Sequence, residues 1–456
     1  MAPLSAGNGR RIGILAGGGS IPREIADSVA ARRVPVFIVA LESEADASFA
    51  PHPSAVVNWG QIARMVQLFR DSGTTDIVIV GRVSRPNLAN VRPDFGLLMA
   101  LPMIWRIIRA GGDDAVLREV IRFFEGKGFR VLGPADVATE IIVGRGPLGI
   151  FEPNAEDTRD IAVGLDVVER IGRLDIGQGV VVASGRIEAI EGAEGTDRML
   201  DRVAALRRVR GCADIGEAGG VLIKRPKPGQ ELRIDLPAIG PETVSRAAGA
   251  GLRGVAVLAG KTMAADRHDL IRRADALRLF VAGLDERMVA DRLALPRSTP
   301  ADAIEPGVLQ TYAGSTPQRD AFESAVKGAR VVAALAPSGV ALAVVVVRRH
   351  VLAVEACEGT LALLGRVADL RQWGSTGRKR LGVAVLQSGS ESGPRVLEAA
   401  ARAGLEGVVI TGRAGGAMVP DAEAVGAAKR LGLFLASIEL SEVDTVEHES
   451  GNGTHQ

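Results

Sequence analysis

Two groups of residues have the types and spacing for chemistry on a phosphorylated ligand. In the first, Gly13-Ile14-Leu15-Ala16-Gly17-Gly18-Gly19-Ser20-Ile21-Pro22 runs an apolar strand into a glycine cluster and then a helix start. Glycine lets the backbone approach a phosphate, and a helix N-terminus offers unpaired N–H groups and partial positive charge. Gly17, Gly18, Gly19 and Ser20 are therefore candidate phosphate or nucleotide contacts, with a structural tight turn as the alternative. Pro22 stands where a dinucleotide fingerprint needs its third glycine, and no lysine follows as it would in an ATP-hydrolysing loop. Next, Gly81-Arg82-Val83-Ser84-Arg85-Pro86 follows directly on the apolar run Asp76–Val80. Ligands of open parallel sheets sit beyond the carboxyl ends of strands, so the two arginines, Arg82 and Arg85, suit an anion bidentately or are simply solvated loop residues. Gly81 and Arg82 are candidate substrate contacts. Asp113 and Asp114 follow Gly111-Gly112 at a helix start, as caps or as ligand contacts.

The second group lies near the middle of the chain. Gly195-Thr196-Asp197 ends a turn before an amphipathic helix, with Thr196 in an N-cap position and Asp197 either binding a ligand or complementing the helix dipole. Lys224-Arg225-Pro226-Lys227-Pro228-Gly229-Gln230 is a basic loop. Asp235, in Leu232-Arg233-Ile234-Asp235-Leu236-Pro237, reads as an acid inside an apolar strand, a costly placement unless it is paired, hydrogen-bonded or metal-bound. Carboxylates with cations nearby describe a phosphate site, and the hard oxygens of Asp197 and Asp235 suit Mg²⁺ or Mn²⁺.

The elements that must hold these residues follow from the apolar pattern. Continuous runs at Ile12–Ala16, Val34–Leu41, Ala55–Trp59, Asp76–Val80 and Arg130–Leu132 alternate with helical stretches starting near Ile21, Gln61 and Asp114. That is an α/β arrangement around a largely parallel, Rossmann-like sheet, over residues 11–145. A second α/β domain spans 150–285, with runs at Val180–Ala183, Gly220–Ile223 and Gly254–Leu258. Residues 286–320 hold Pro296, Pro300, Pro306 and Pro317 and read as a linker; residues 441–456 read as a disordered tail.

The segment 321–440 repeats the second domain. Val180–Leu206 matches Val344–Leu370 without a gap, Glu194-Gly195-Thr196 recurring as Glu358-Gly359-Thr360 and Arg202-Val203-Ala204 as Arg366-Val367-Ala368. The Gly240-Pro241 step recurs as Gly393-Pro394. Asp197 falls opposite Leu361, Asp235 opposite Ser388, and the basic loop is shortened, so the repeat reads as a degenerate copy that has lost a working site, or one whose surface has drifted.

Composition sets outer bounds. The chain has 456 residues, with 55 Lys+Arg against 54 Asp+Glu, which argues against nucleic acid as a partner. Two cysteines, Cys212 and Cys357, supply no disulfide framework and fit a reducing cytosol, and the five histidines have no metal-ligand spacing. The opening MAPLSAGNGR carries no export signal, and the most apolar stretch, Phe95–Ile108, is short and interrupted by Pro102 and Arg106. That stretch reads as a buried helix, or as a wall meeting an apolar ligand or a membrane surface.

Taken together, Ile12–Pro22, Gly81–Arg85, Gly111–Asp114, Glu191–Asp197 and Arg233–Thr243 resemble the UDP-2,3-diacylglucosamine hydrolases of lipid A synthesis, of the two-domain type unrelated to calcineurin-like metallophosphoesterases. The resemblance covers residues 11–285 and implies water attack on the substrate's pyrophosphate, giving UMP and the 1-phosphate of the diacylated sugar. It also implies a divalent ion, usually Mg²⁺, an indispensable aspartate at Asp235 and a lipid between two domains. Because such hydrolysis needs neutralised phosphoryl charge and an aligned water, Asp235 with Asp197 is assigned to metal or water, and Lys224 and Gly17–Ser20 to phosphate. A cytoplasmic enzyme working peripherally on the inner membrane is the corresponding expectation, with Phe95–Ile108 at the acyl chains or the bilayer. The third unit, absent from the family pattern, is expected to be inactive and to mimic the partner surface of a homodimer or simply to buttress. Two other readings stay open: a nucleotide-sugar oxidoreductase using Gly17–Gly19 and Glu42, although Tyr312 is the only tyrosine, and a non-enzymatic nucleotide- or lipid-binding module.

Overall fold

The computed structural model of the chain describes residues 9–42, 44–45, 49–83, 92, 94–99, 113–209, 219–285, 304–340, 343–371, 380–390, 392–413 and 419–442. They form two compact units that interleave along the sequence. One comprises residues 1–153, 224–248 and 254–286; the other comprises 154–223, 249–253 and 287–456. Along the sequence the first division by contacts falls between Pro153 and Asn154.

In chain order the first stretch forms β1 (Ile12–Ala16), α1 (Ile21–Ala31), β2 (Val36–Leu41), β3 (Ser54–Val57), α2 (Ile62–Asp71), β4 (Asp76–Val80), α3 (Phe95–Met99), α4 (Asp113–Glu125), β5 (Arg130–Leu132) and α5 (Pro134–Val137). The strands make a five-stranded sheet, order β3-β2-β1-β4-β5, and every pairing is parallel. β1 is buried along its whole length, as expected of a strand covered on both faces. Strand order reverses between β1 and β4, the position where such sheets bind ligands.

The middle of the chain forms β6 (Gly146–Pro147), α6 (Ala155–Arg173), β7 (Gly179–Ala183), β8 (Arg186–Ile190), α7 (Gly195–Val209), β9 (Val221–Lys224), β10 (Ala238–Ile239), α8 (Pro241–Gly249), β11 (Gly254–Leu258), β12 (Met263–Ala264), α9 (Arg267–Ala276) and β13 (Phe280–Leu284). Within the first unit, β11 and β13 pair in parallel, β6 closes antiparallel on β13, and β10 pairs with β12. The segment leading into β10 packs onto the amino-terminal sheet. Leu236 and Met263 belong to the same buried cluster as Ile12, Ile14, Ile38 and Val80, with Leu232 and Ala238 at its margin, and Ile234 packs on the cluster of Leu15, Val39 and Ile77 across the sheet. This segment was expected as a strand. It is a turn instead: its period-two apolar residues are anchors for a core supplied by chain some 200 residues away.

The remainder forms β14 (Ile304–Ala313), α10 (Arg319–Leu335), β15 (Ala343–Val347), β16 (His350–Val354), α11 (Thr360–Arg371), β17 (Val383–Gln387), α12 (Pro394–Arg402), β18 (Gly407–Arg413), α13 (Ala422–Leu431) and β19 (Phe434–Glu442). Its sheet order is β14-β19-β18-β17-β15-β16. Part of the expected linker is thus strand: β14 lies at the sheet edge, antiparallel to β19, with a register shift after Pro306. Proline is tolerated at an edge and beside a bulge, so proline content alone misread this stretch. The first two residues of the expected tail, Ser441 and Glu442, end β19, and the rest lie outside the described residues.

Duplication shows in backbone detail. The β7–β8 hairpin carries a register irregularity between Val181 and Val182, and the β15–β16 hairpin carries one between Val345 and Val346, the matching positions. Gly254 of β11 lies flat against the Phe280 ring, and Gly407 of β18 against that of Phe434.

Candidate active site

The glycine cluster and the loop after β4 meet at the carboxyl edge of the amino-terminal sheet. Gly17 N–H donates to the Val80 carbonyl at 2.9 Å; Gly18 N–H donates to Arg82 O at 2.7 Å, and Arg82 N–H returns to Gly18 O at 2.8 Å. A Cβ on Gly17 would collide with the Arg82 carbonyl, one on Gly18 would lie 2.7 Å from Glu44 O, and Gly81, at φ +105°, has room for none. Gly17, Gly18 and Gly81 are thus required by the approach of two loops, and two of the N–H groups expected to face phosphate are engaged in backbone pairing. Gly19, at φ +93°, and Ser20, at the start of α1, remain the candidate anion contacts of the cluster. Ser20 Oγ donates to Glu24 at 2.8 Å, and Arg82 is exposed. Glu42, the ribose candidate of the oxidoreductase reading, accepts from Asn58 at 2.8 Å and pairs with Arg92 at 3.6 Å.

Asp235 is exposed, not buried as its apolar neighbours suggested. It ends a turn whose preceding residues are tied down. Arg233 donates to both carboxylate oxygens of Glu231 at 2.9 Å, an interaction that holds the Glu231 carboxyl below, and the Arg233 guanidinium above, their ordinary ranges. Arg233 Cα sits where a Cβ on Gly133, just past β5, would come within 3.2 Å. The turn therefore rides on the same carboxyl edge as the glycine loop. Gln230 Nε2 donates to the Asp235 carboxylate at 2.5 Å and to its carbonyl at 2.9 Å, so the side chain is oriented while remaining accessible.

Lys224, at the end of β9, is only 6% exposed. Among the described residues its ammonium has one acceptor, the Ala238 carbonyl at 3.4 Å, and no carboxylate partner. A buried ammonium is expensive unless an anion compensates it, which keeps Lys224 a candidate for binding one. The repeat sharpens this. Gly220, before β9, packs its α-carbon against Val182 and Ala183; Gly382, before β17, packs against Val346 and Val347, the matching pair. Counting from those glycines, Lys224 corresponds to Leu386, which is fully buried. Gly220 and Gly382 are the sequence signal that sets Lys224 opposite Leu386, which counting back from Gly240-Pro241 does not reveal.

Asp197 and Thr196 belong to the other compact unit. Helix α7 begins at Gly195, so Thr196 lies inside the first turn instead of capping it, and Asp197 is exposed beside it. The counterpart Thr360 donates to buried Glu355 at 2.8 Å. Asp113 and Asp114 are the first two residues of α4; their side chains, with Ser84, Arg85 and residues 100–108, lie outside the described residues.

Among the described residues no three His, Cys, Asp or Glu side chains form a ready cation cage. An exposed, oriented carboxylate still fits Mg²⁺, which is commonly held by one or two carboxylates together with substrate phosphates and water.

An α/β sheet with a glycine-shaped ligand edge and a duplicated second domain places the chain in a defined class. It belongs to the LpxI family: residues 11–141 match the LpxI N-terminal domain, and residues 144–282 and 310–436 each match the LpxI C-terminal domain. A relative from Caulobacter vibrioides, described as UDP-2,3-diacylglucosamine pyrophosphatase LpxI, is 43% identical over 277 residues, which cover 60% of this chain and 98% of the relative.

Proposed function

We infer that the protein hydrolyses the pyrophosphate of UDP-2,3-diacylglucosamine to UMP and 2,3-diacylglucosamine 1-phosphate, a step of lipid A biosynthesis. Family membership supports the reaction, and one observation carries its location: the buried Lys224 ammonium, without a carboxylate partner among the described residues and bonded to the segment that presents Asp235. Cleaving a phosphoric anhydride requires charge neutralised on the phosphoryl oxygens and an aligned water. Lys224 supplies fixed positive charge, worth most where water is excluded. The start of α1 at Gly19–Ser20 adds N–H groups for a second phosphate. Asp235, held by Gln230, orients the attacking water or holds a divalent ion. Mg²⁺, when bound, supplies Lewis-acid polarisation of phosphoryl oxygen.

The substrate's acyl chains make the inner membrane's cytoplasmic face the working place. No helix among the described residues is long and apolar enough to cross a membrane; in this reading the protein acts peripherally on that face. Phe95, 73% exposed at the start of α3, opens the apolar stretch proposed to meet the lipid.

Release of UMP from radiolabelled lipid substrate, with Mg²⁺ and with chelator, tests the reaction. Asp235→Ala is expected to abolish turnover with folding and lipid binding unchanged; near-normal turnover removes Asp235 from the chemistry.

A further inference from the structure

The two copies of the C-terminal domain touch within the second compact unit through an arrangement with two-fold character. Arg202 donates to Glu194 of its own copy at 2.8 Å and to Glu358 of the other at 3.3 Å; Arg366 donates to Glu358 of its own copy at 2.9 Å and to Glu194 of the other at 3.3 Å. These are matching residues of the repeat. Each arginine also caps a matching carbonyl at 3.0 Å, Arg202 that of Ile190 and Arg366 that of Val354. The exchange extends to the backbone: Ala193 N–H donates to Leu352 O at 3.0 Å, while Cys357 Sγ, at the position matching Ala193, donates to Glu188 O, matching Leu352, at 3.0 Å. On the helices, Arg170 of α6 donates to the carbonyl of Ala334, its own counterpart in α10. All four charged side chains are at least four-fifths buried.

Residue i meeting j while j′ meets i′ is the signature of an isologous interface between identical subunits. We propose that the contact between the copies is a homodimer interface closed within one chain: the third unit occupies the place of a second copy of residues 154–223, and this face is latently self-complementary. Each copy presents one glutamate and one arginine, so copy one facing copy one would form the same two cross-pairs.

The full chain tests this by its mass in solution, read by sedimentation or light scattering. Wild type is expected at the mass of one chain, 47.6 kDa. The paired change Glu358→Arg with Arg366→Glu keeps the pair inside the third unit but sets like charges across the interface. It leaves Glu194 and Arg202 able to pair with those of another chain, so the expected mass doubles. Adding Glu194→Arg and Arg202→Glu restores opposite charges across the interface, and the mass should return to one chain. A two-chain wild type, or a folded two-position variant of one-chain mass, overturns the proposal. Should the two-position variant misfold, a four-position variant that misfolds equally also overturns it, because restoring complementarity must rescue a charge-matched interface.

Discussion

The two C-terminal copies differ least in their frame and most where a ligand would sit, and two of the differences mean different things. The arm from Arg225 to Ile239 has shrunk in the later copy, with seven positions from Leu386 to Gly393 against sixteen from Lys224 to Gly240. In the earlier copy this arm buries Leu232, Ile234 and Leu236 on the amino-terminal sheet. A second copy has no second sheet of that kind to cover, and an arm of this composition would expose its apolar residues to water. Loss of Asp235 with the arm therefore carries little independent weight for catalysis. Lys224 against Leu386 is another matter: the strands are in the same register and buried alike, and only the earlier copy bears the cost of an ammonium. A costly group kept in one copy and replaced by an apolar one in the other points to use.

The strongest test of that contrast gives the earlier copy the later copy's residue. Lys224→Leu should lower kcat/KM for UMP release by about a hundred- to a thousand-fold, the range for deleting one preorganised charge-stabilising donor. At the same time it should raise the thermal midpoint, since a buried charge is removed. Lost activity with lost stability would instead make Lys224 structural. The converse exchange, Leu386→Lys, should destabilise the protein by roughly 3 kcal/mol in denaturant titration, through an uncompensated buried charge and lost packing. It should leave UMP release unchanged below the unfolding transition; a neutral result would show that this strand end tolerates ammonium in either copy.

A smaller effect is expected from Gln230→Ala, which removes the Gln230 hydrogen bond to the Asp235 carboxylate. A loss of about five-fold in kcat with little change in KM, from one removed hydrogen bond of about 1 kcal/mol, would show that orientation matters. The least effect belongs to Glu355, a group both copies keep, as Glu191 and Glu355. Burial raises the Glu355 pKa despite the Thr360 hydrogen bond, and Glu358 nearby adds to the rise. The folded state then holds a proton that the unfolded chain has already lost, so stability declines as pH climbs from the ordinary glutamate value through the folded one. Glu355→Gln should therefore stabilise the protein near neutral pH and change nothing in acid, a difference visible in unfolding midpoints at the two pH values.

Much of the fold was legible. β1, β4, β5 and β11 run where continuous Val/Ile/Leu patterns placed them, because strands covered on both faces need apolar side chains at every position. Strand β14 was missed because prolines suggested a linker, whereas an edge strand needs hydrogen bonds on one side only. The site was legible by type and misread by environment. Asp235 was placed in a strand because Leu232, Ile234 and Leu236 alternate, but alternation says only that three side chains seek burial, not that sheet neighbours flank them. Gly17 and Gly18 were read as facing phosphate, yet glycine is equally required where two backbones touch, and those N–H groups point at Val80 and Arg82.

What the order of residues determined alone was the parallel sheet, the duplication and the residue types near the ligand edge, since periodicity and repetition are local properties of the chain. Which carboxylate is exposed, which lysine is buried without a carboxylate partner among the described residues, and how Glu194, Arg202, Glu358 and Arg366 exchange partners were decided only by folding. Burial and pairing depend on segments far apart in sequence, and desolvation, which makes a charge costly or useful, exists only once those segments have met.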